Sequence, residues 1–505
     1  MSDITDADIV VQPPAAGPRA RESPALDLPT RSEAVQIWCK HLTSFVIPAL
    51  TLLFIWTGPH LWYVAPLFML PLGTVMFIDR RNRAERRQPS KAMPAWPFDL
   101  LLYSLAGFQF LIVYALAQLF SQQGVFSIDM AMVIGVVGGN SGFSIITAHE
   151  LIHRRNRWEQ KLGRLLLSTV LYEHFYTEHL RGHHRRVGTE EDPATAHFGE
   201  TFPEFWRRTV PAQFRSAWAL EARRLGDEQM SLFDPRMLRN NILHGLVVGW
   251  GLAFAILYSF GVAAFVAFLL QAFLAIRLLE VVNYFEHWGL QRKSAHVRAQ
   301  DSWDTHSRFT YYGLTGLSRH ADHHAYPARP YQQLRVCDEA PILPEGYVGL
   351  VDMVMVNNDE FIKSAIQELR RCQLGPYAAD ATPKEIERLE RFERAEQDTT
   401  DSSAESGPAW SRALLRVLPA KLRPWLFWGV VVLALTFGAQ LETGGISSAS
   451  YFPLLVRNFA ILGVFTGVIL TQRQIAKSTE REGLAWIIAF AVLAVVGSFT
   501  EGMIS

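Results

Sequence analysis

Apolar residues collect in long runs separated by polar stretches. Six of these runs lie at about Thr43–Gly58, His60–Ile78, Asp99–Phe120, Ser127–Ala148, Asn241–Gly261 and Val262–Phe285. Most approach the ~20 residues a helix needs to cross a bilayer. Three more follow near the C-terminus, at Trp425–Leu441, Phe452–Thr471 and Ala485–Phe499. The pattern predicts an all-α, polytopic membrane helix bundle. It has a six-helix core, a helical cap built from the polar stretches, and about three additional C-terminal membrane helices. Asn241–Gly261 and Val262–Phe285 have almost no residues between them and read as a hairpin with a tight outward turn.

Charge orients the bundle. The connection Asp79–Lys91 holds six Lys/Arg, whereas Ser121–Ser127 has none. By the positive-inside rule the first is cytoplasmic and the second faces outward. Four crossings from a cytoplasmic N-terminus return the chain to the cytoplasm at His149, where Arg154, Arg155 and Arg157 follow. Near the C-terminus, Lys421 and Arg423 precede the first apolar run, Arg473, Lys477 and Arg481 follow the second, and Glu442–Tyr451 has no basic residue. That places the C-terminus outside. The run Gly135–Gly142 would let a neighbouring helix approach closely.

The domain reading follows from composition. Residues 1–40 are polar, rich in Pro and Ala, and read as a disordered cytoplasmic tail without a signal peptide. Residues 41–395 form the membrane domain with its cap, 396–420 a linker, and 421–505 an accessory transmembrane region. Pro383–Gln397 reads as a charged, solvated helix. At 505 residues, 49% hydrophobic and mean hydropathy +0.09, the chain is too apolar for an ordinary soluble enzyme. Zero net charge gives no reason to expect nucleic acid. Cys39, Cys337 and Cys372 are far apart, so the chain has no CxxC and no cysteine framework for an iron–sulfur or rubredoxin-type site. Electrons for any redox chemistry must come from another protein.

The chemistry lies in the histidines. His149 and His153 form HxxxH, His179, His183 and His184 form HxxxHH, and His320, His323 and His324 form HxxHH. Residues three and four apart share a helix face, so each cluster is expected to present its imidazoles in one direction. His287, at the end of the sixth span, reads on chemistry alone equally as a ligand or as an interfacial histidine. His41, His60, His197, His244, His296 and His306 read as satisfied structural histidines. Imidazole suits iron, zinc, copper and nickel, so the residue type does not choose the metal. The number is more informative, because a zinc site is saturated by about four ligands. Two metals sharing nine ligands, at roughly six positions each, would keep about three positions open for O2 or water. His149–His153 also matches the HExxH of zinc proteases, with Glu150 as base. The two further clusters and the flanking spans argue against that reading.

HELIH, EHLRGHH, NYFEHWGL and RHADHHAYPARPYQQLR, with EDPA (Glu191–Ala194) and LPEGY (Leu343–Tyr347), resemble the signature set of the integral-membrane alkane 1-monooxygenases. These are relatives of the xylene and cymene methyl hydroxylases. The likeness covers roughly residues 40–370. It implies a six-helix bundle in the bacterial inner membrane with a cytoplasmic non-haem diiron site. It also implies terminal methyl hydroxylation with O2 and electrons from rubredoxin or a ferredoxin-type donor and its reductase. All nine clustered histidines, His287 included, then become ligands to two Fe ions. Trp288 stands where the family has Tyr, and Ala321 where it has Ser. Glu150, Glu178, Glu286 and Asp322 flank ligand histidines and are expected to accept their second ring N–H.

Two rivals remain. A membrane fatty-acid desaturase or hydroxylase would use the same oxidant on a lipid acyl chain. Its second box is usually HxxHH, one residue shorter than HLRGHH. A metal transporter would want ligands at mid-membrane, and no span carries a cluster there.

Overall fold

A computed structural model describes residues 30–401, apart from 62–63, 82–83 and 90–92. The three C-terminal spans, residues 1–29 of the expected tail and residues 402–420 of the expected linker lie outside the described residues. Arg31–Lys40, expected as the end of a disordered tail, are helical, because Thr30 and Glu33 cap a helix that runs on into the first span, and residues 396–401, expected in the linker, end the helix Pro383–Asp401. Five helices are long and apolar enough to cross a membrane, and the protein is an integral membrane protein. Among the described residues there is no strand.

The first spanning helix, α1 (Arg31–Thr57), starts at a capping box. The Thr30 N–H donates to Glu33 Oε2 at 2.8 Å and the Glu33 N–H to Thr30 Oγ1 at 3.2 Å, satisfying donors that a helix start leaves free. The second expected span, His60–Ile78, is not one continuous helix. A 3-10 turn at Ala65–Met69 leads into α2 (Leu70–Arg81), only 12 residues long. Pro59, Pro66 and Pro71 each lack the N–H that a continuous helix requires there. The C-terminal end of α2 is fixed to the cap by Asp79, which accepts from Ser307 Oγ (2.5 Å), Thr310 Oγ1 (2.8 Å) and the Val348 N–H (2.9 Å).

Helix α3 (Trp96–Phe120) spans 25 residues, or ~38 Å. Helix α4 (Ile128–Ile152) contains one widened, π-type turn at Val133–Val137. Beyond it, glycines bring α4 against α9 (Val262–His287). A Cβ on Gly138 would lie 2.6 Å from Leu274 Cβ, and one on Gly142 2.9 Å from Leu278 Cδ1. The glycine run therefore serves close helix packing, as its composition suggested. Helix α5 (Arg157–Ser168) folds back under α4. The short helix α6 (residues 175–186) follows and includes a second π-type turn at Glu178–His183.

Helix α7 (Phe202–Arg224) crosses α9, where Gln213 Nε2 donates to Glu280 Oε1 at 2.8 Å. Helices α8 (Asn241–Phe260) and α9 form the expected hairpin around Gly261 alone. Its φ of 89° is a conformation that glycine adopts without a Cβ clash. The cap is completed by α10 (Arg308–Gly313), α11 (His320–Ala325), α12 (Tyr347–Val356), α13 (Asn358–Cys372) and α14 (Pro383–Asp401).

A buried aromatic cluster, including Tyr284, Trp288, Trp303, Phe202, Tyr347 and Phe361, packs around the cap end of α9, where His287 lies. Trp303 Nε1 donates to the Trp288 carbonyl at 2.9 Å. Helix α14 is not simply a solvated face. Phe392 packs on Phe198 with ring centroids 5.8 Å apart, and Arg388 pairs with Glu190 at 2.7 Å.

Candidate metal centre

Four chain segments meet where the spans enter the cap. The C-terminal end of α4 brings His149 and, just beyond it, His153. Helix α6 brings His179, His183 and His184, α9 ends on His287, and α11 brings His320, His323 and His324. The nine imidazoles fall into two adjoining groups. His149, His153, His179, His184 and His323 form the first, and His183, His287, His320 and His324 the second. Within each group one donor atom per residue lies within 4.8 Å of all the others.

The division of the groups does not follow the clusters as sequence suggested. HxxxHH was expected to point one way, but His179 joins His184 while His183 turns to the other group. The π-type turn at Glu178–His183 is the cause. Its i→i+5 hydrogen bonding widens the helix and brings residues five apart into line. The rings of His179 and His184 are 4.5 Å apart, whereas those of His179 and His183 are 5.3 Å apart. In α11 the regular helix aligns His320 with His324, four residues apart, and sends His323 across to the first group.

The donor spacing fits a metal. In the first group the Nε2 atoms of His179 and His153 are 3.0 Å apart, those of His184 and His153 3.1 Å, and those of His184 and His179 3.0 Å. In the second, His183 and His324 are 3.3 Å apart at Nε2, His320 and His287 3.2 Å, and His324 and His320 2.9 Å. Two nitrogens ~2.1 Å from one ion would be ~3.0 Å apart at right angles and ~3.4 Å at the tetrahedral angle. The observed spacings favour right angles, the geometry of a centre with more than four positions. The Nε2 atoms of His149 and His323 are buried with no hydrogen-bond partner, which a metal ion would satisfy.

Electrostatics agree with that role. Burial, and then the neighbouring imidazoles, hold His153, His179, His184, His320 and His324 well below the ordinary 6.5. His323 is lowered in the same way, by burial and by His149 and His183. These rings are therefore neutral and offer a lone pair.

The flanking carboxylates are arranged differently from expectation. Glu150 accepts from the Tyr331 N–H (3.2 Å) and pairs with Arg154 (3.0 Å). Glu178 pairs with Arg186 (2.7 Å), and Asp322 pairs with Arg329 and accepts the Arg335 N–H (2.8 Å). Neighbours in a helix do not face each other, so a carboxylate next to a ligand histidine points away from that ring. Glu286 is set differently again. Its Oε1 accepts from the Tyr347 hydroxyl at 2.7 Å, and its Oε2 lies 3.2 Å from His320 Nε2, the nitrogen that faces the other imidazoles.

The carboxylate that does reach a second ring nitrogen is Asp192, 2.9 Å from His183 Nδ1 and itself held by the Thr195 hydroxyl at 2.6 Å. Sequence reasoning did not single it out as a histidine partner, although it sits in the EDPA stretch. Of the histidines read as structural, His60 is satisfied, paired with Asp129 at 2.8 Å. His41 is not: it is enclosed by Phe98, Tyr311, Tyr312 and Tyr331, and both its ring nitrogens are buried without a hydrogen-bond partner.

A cavity of roughly 490 Å³ opens from the centre into the membrane region. His149, His179, His320 and Glu286 stand at one end. Apolar side chains of α2, α4, α9 and α12, among them Met76, Ile146, Leu274 and Met355, line most of the rest, which also includes Arg277, Asn283 and Asp352.

A family model described as fatty acid desaturase matches residues 125–352, which hold all nine histidines. Alkane 1-monooxygenase 1 of Pseudomonas aeruginosa is 38% identical over 235 residues, 45% of this chain and 59% of that protein. Alkane 1-monooxygenase of Acinetobacter baylyi is 38% identical over 254 residues, covering 48% and 60%. Alkane 1-monooxygenase 1 of Alcanivorax borkumensis is 32% identical over 308 residues, covering 58% and 74%. The chain thus spans about three fifths of the length of the first two of these relatives. With nearly three quarters of the third relative matched at 32% identity, and the histidine motifs inside the span that the family model matches, the chain belongs to the alkane 1-monooxygenase family, within the wider group of desaturase-like membrane proteins.

Proposed function

We propose that the protein hydroxylates the terminal methyl group of an alkane or alkyl-aromatic hydrocarbon. One atom of O2 is inserted into the C–H bond, and the other leaves as water with two electrons and two protons. The observation that carries this reading is the apolar cavity ending on His149, His179 and His320. Two irons would be held by the two histidine groups and would supply the oxidant that an unactivated C–H bond requires.

The chain's own residues do the rest. The cavity walls bind a hydrocarbon by burial, in a space within the ~300–1,000 Å³ usual for small-molecule sites. Its apolar lining keeps bulk water from the reacting carbon. Asp192 accepts the His183 Nδ1–H, which fixes the ring's tautomer and leaves Nε2 as the donor. Tyr347 fixes Glu286 so that one carboxylate oxygen faces the second histidine group.

Three cysteines without metal-site spacing support a separate electron donor of the rubredoxin or ferredoxin type, with its reductase. The basic connections support an inner-membrane location with the N-terminus and histidines on the cytoplasmic side. We read residues 41–395 as the hydroxylase unit, 396–420 as a linker and 421–505 as accessory. Removing residues 409–505 would then leave activity and iron content in place.

A second reading, desaturation or hydroxylation of a lipid acyl chain, is favoured by the family model over residues 125–352. One experiment separates the two. Cells making the protein are fed a panel of hydrocarbons, and both medium and lipids are analysed by mass spectrometry. Primary alcohols from the fed hydrocarbons support the first reading, while altered lipid acyl chains with no alcohol support the second.

A further inference from the structure

A file of aromatic rings leads from the histidine groups to α7 in the cap. Phe175, at the start of α6, lies nearly flat on the ring of His179, with centroids 4.6 Å apart and 22° between the planes. Tyr172 is stacked on Phe175 at 6.3 Å and 27°. His174 meets Tyr172 at 4.2 Å, Phe214 of α7 meets His174 at 5.2 Å, and Trp218, one turn further along α7, meets Phe214 at 6.3 Å. Two members of the file, Tyr172 and Trp218, carry readily oxidised rings. Tyr172 is buried and Trp218 is half-buried. The Tyr172 hydroxyl donates to Glu280 Oε1 at 2.8 Å. Glu280 is itself buried, and its other donors are the neutral amides of Gln213 (2.8 Å) and Asn283 (3.1 Å).

An oxidant able to break an unactivated C–H bond attacks the protein when the cavity holds no hydrocarbon, and the protein must exclude such side reactions. Thioethers, which oxidise to sulfoxides, stand in the cavity wall at Met76 and Met355. We infer that Tyr172 and Trp218 drain the unspent oxidant outward through this file, a protective function that rests on the hydroxylase reading above. One electron leaves Tyr172 for the histidine centre by way of Phe175 and His179. The phenol O–H bond breaks as it goes, and the proton crosses the hydrogen bond to Glu280. Trp218 then returns an electron to the tyrosyl oxygen, which takes its proton back from Glu280. A soluble thiol reduces the oxidised indole. Two such passes draw two electrons and two protons from two thiols, which leave as one disulfide, while the unspent oxygen atom leaves as water. The carboxylate sets the direction of use. Electrons entering from a reducing donor need no proton acceptor on the way, whereas a phenol that is oxidised must give up its proton. A bound methyl group meets the oxidant directly and reacts first, so the file acts when the cavity is empty of substrate.

The test uses the iron-loaded full chain in lipid nanodiscs, mixed with its reduced electron donor and O2 without hydrocarbon, frozen in a time series and read by electron paramagnetic resonance. The expected result is a neutral tyrosyl signal in the wild type, none in Tyr172→Phe, and a longer-lived one in Trp218→Phe, where the oxidising equivalent has no way out. Peptide mass spectrometry of the same samples should show more sulfoxide at Met76 and Met355 in both variants than in the wild type. With hydrocarbon present, initial hydroxylation rates in both variants should match the wild type. Trp218→Phe alters only a half-buried ring and decides the matter by itself if Tyr172→Phe fails to hold iron. No tyrosyl signal in the wild type, a signal that survives in Tyr172→Phe, or equal sulfoxide in all three proteins overturns the proposal while leaving the hydroxylase reading intact. A hydroxylation rate that falls in both variants assigns the file to electron entry and overturns it as well. No O2 uptake and no alcohol from any hydrocarbon overturns the hydroxylase reading and this one with it.

Discussion

Asp192 Oδ2 stands 2.9 Å from Nδ1 of His183, and both side chains are buried. The contact joins the loop after α6 to the second histidine group. A carboxylate in this position orients the ring and raises its basicity toward a metal. Asp192→Ala should therefore weaken metal retention ~10- to 100-fold, with Asp192→Asn intermediate, since its amide oxygen still accepts. Metal content measured against a series of chelator concentrations tests this. Retention equal to wild type in Asp192→Ala would remove the residue from that role.

The separation into groups of five and four makes a prediction about metal number. His323→Ala removes a donor from the first group and His183→Ala one from the second. Each should reduce bound iron from about two per chain toward one and abolish hydroxylation, with the protein still inserted in the membrane. Elemental analysis of the purified variants decides it. Full iron in either variant would take that histidine off the ligand set.

Gly139 lines the cavity, and a Cβ built there would meet nothing within 4 Å. Gly139→Leu should thus fit the backbone and fill cavity space instead of displacing a helix. It lies ten residues before His149, ~15 Å along α4. Long substrates should lose turnover while short ones keep it, a shift readable from product profiles across an alkane series. Equal loss at all lengths would mean that the side chain disturbs packing rather than shortening the cavity.

Acidification should destabilise the centre. In the unfolded chain each buried histidine takes up a proton near the ordinary 6.5, whereas in the folded chain burial keeps His153, His179, His184, His320, His323 and His324 neutral well below that value. Below 6.5 the unfolded state therefore binds more protons. Stability rises with pH through this window and levels off above it. Metal release adds protons to the same rings and acts in the same direction. The melting temperature of the metal-free protein should fall between about pH 7 and about pH 5. A flat profile would show that these histidines are not held neutral.

The hydrophobic runs alone determined the all-α membrane architecture and the α8–α9 hairpin, because a helix in lipid must satisfy its backbone internally and declares its length in apolar residues. The histidine clusters likewise named their own residues. What sequence could not determine was the turn width within α6. A regular helix would have put His179 with His183. The widened turn at Glu178–His183 put it with His184, and only the packed helix adopts that turn. The prolines that shorten α2 were visible in the chain, but hydropathy is blind to a missing N–H. Asp192 could not be recognised as a partner because its contact with His183 depends on how a loop folds back. The cavity, with Arg277 in its wall, arises from the meeting of α2, α4, α9 and α12, distant segments whose approach no local pattern encodes.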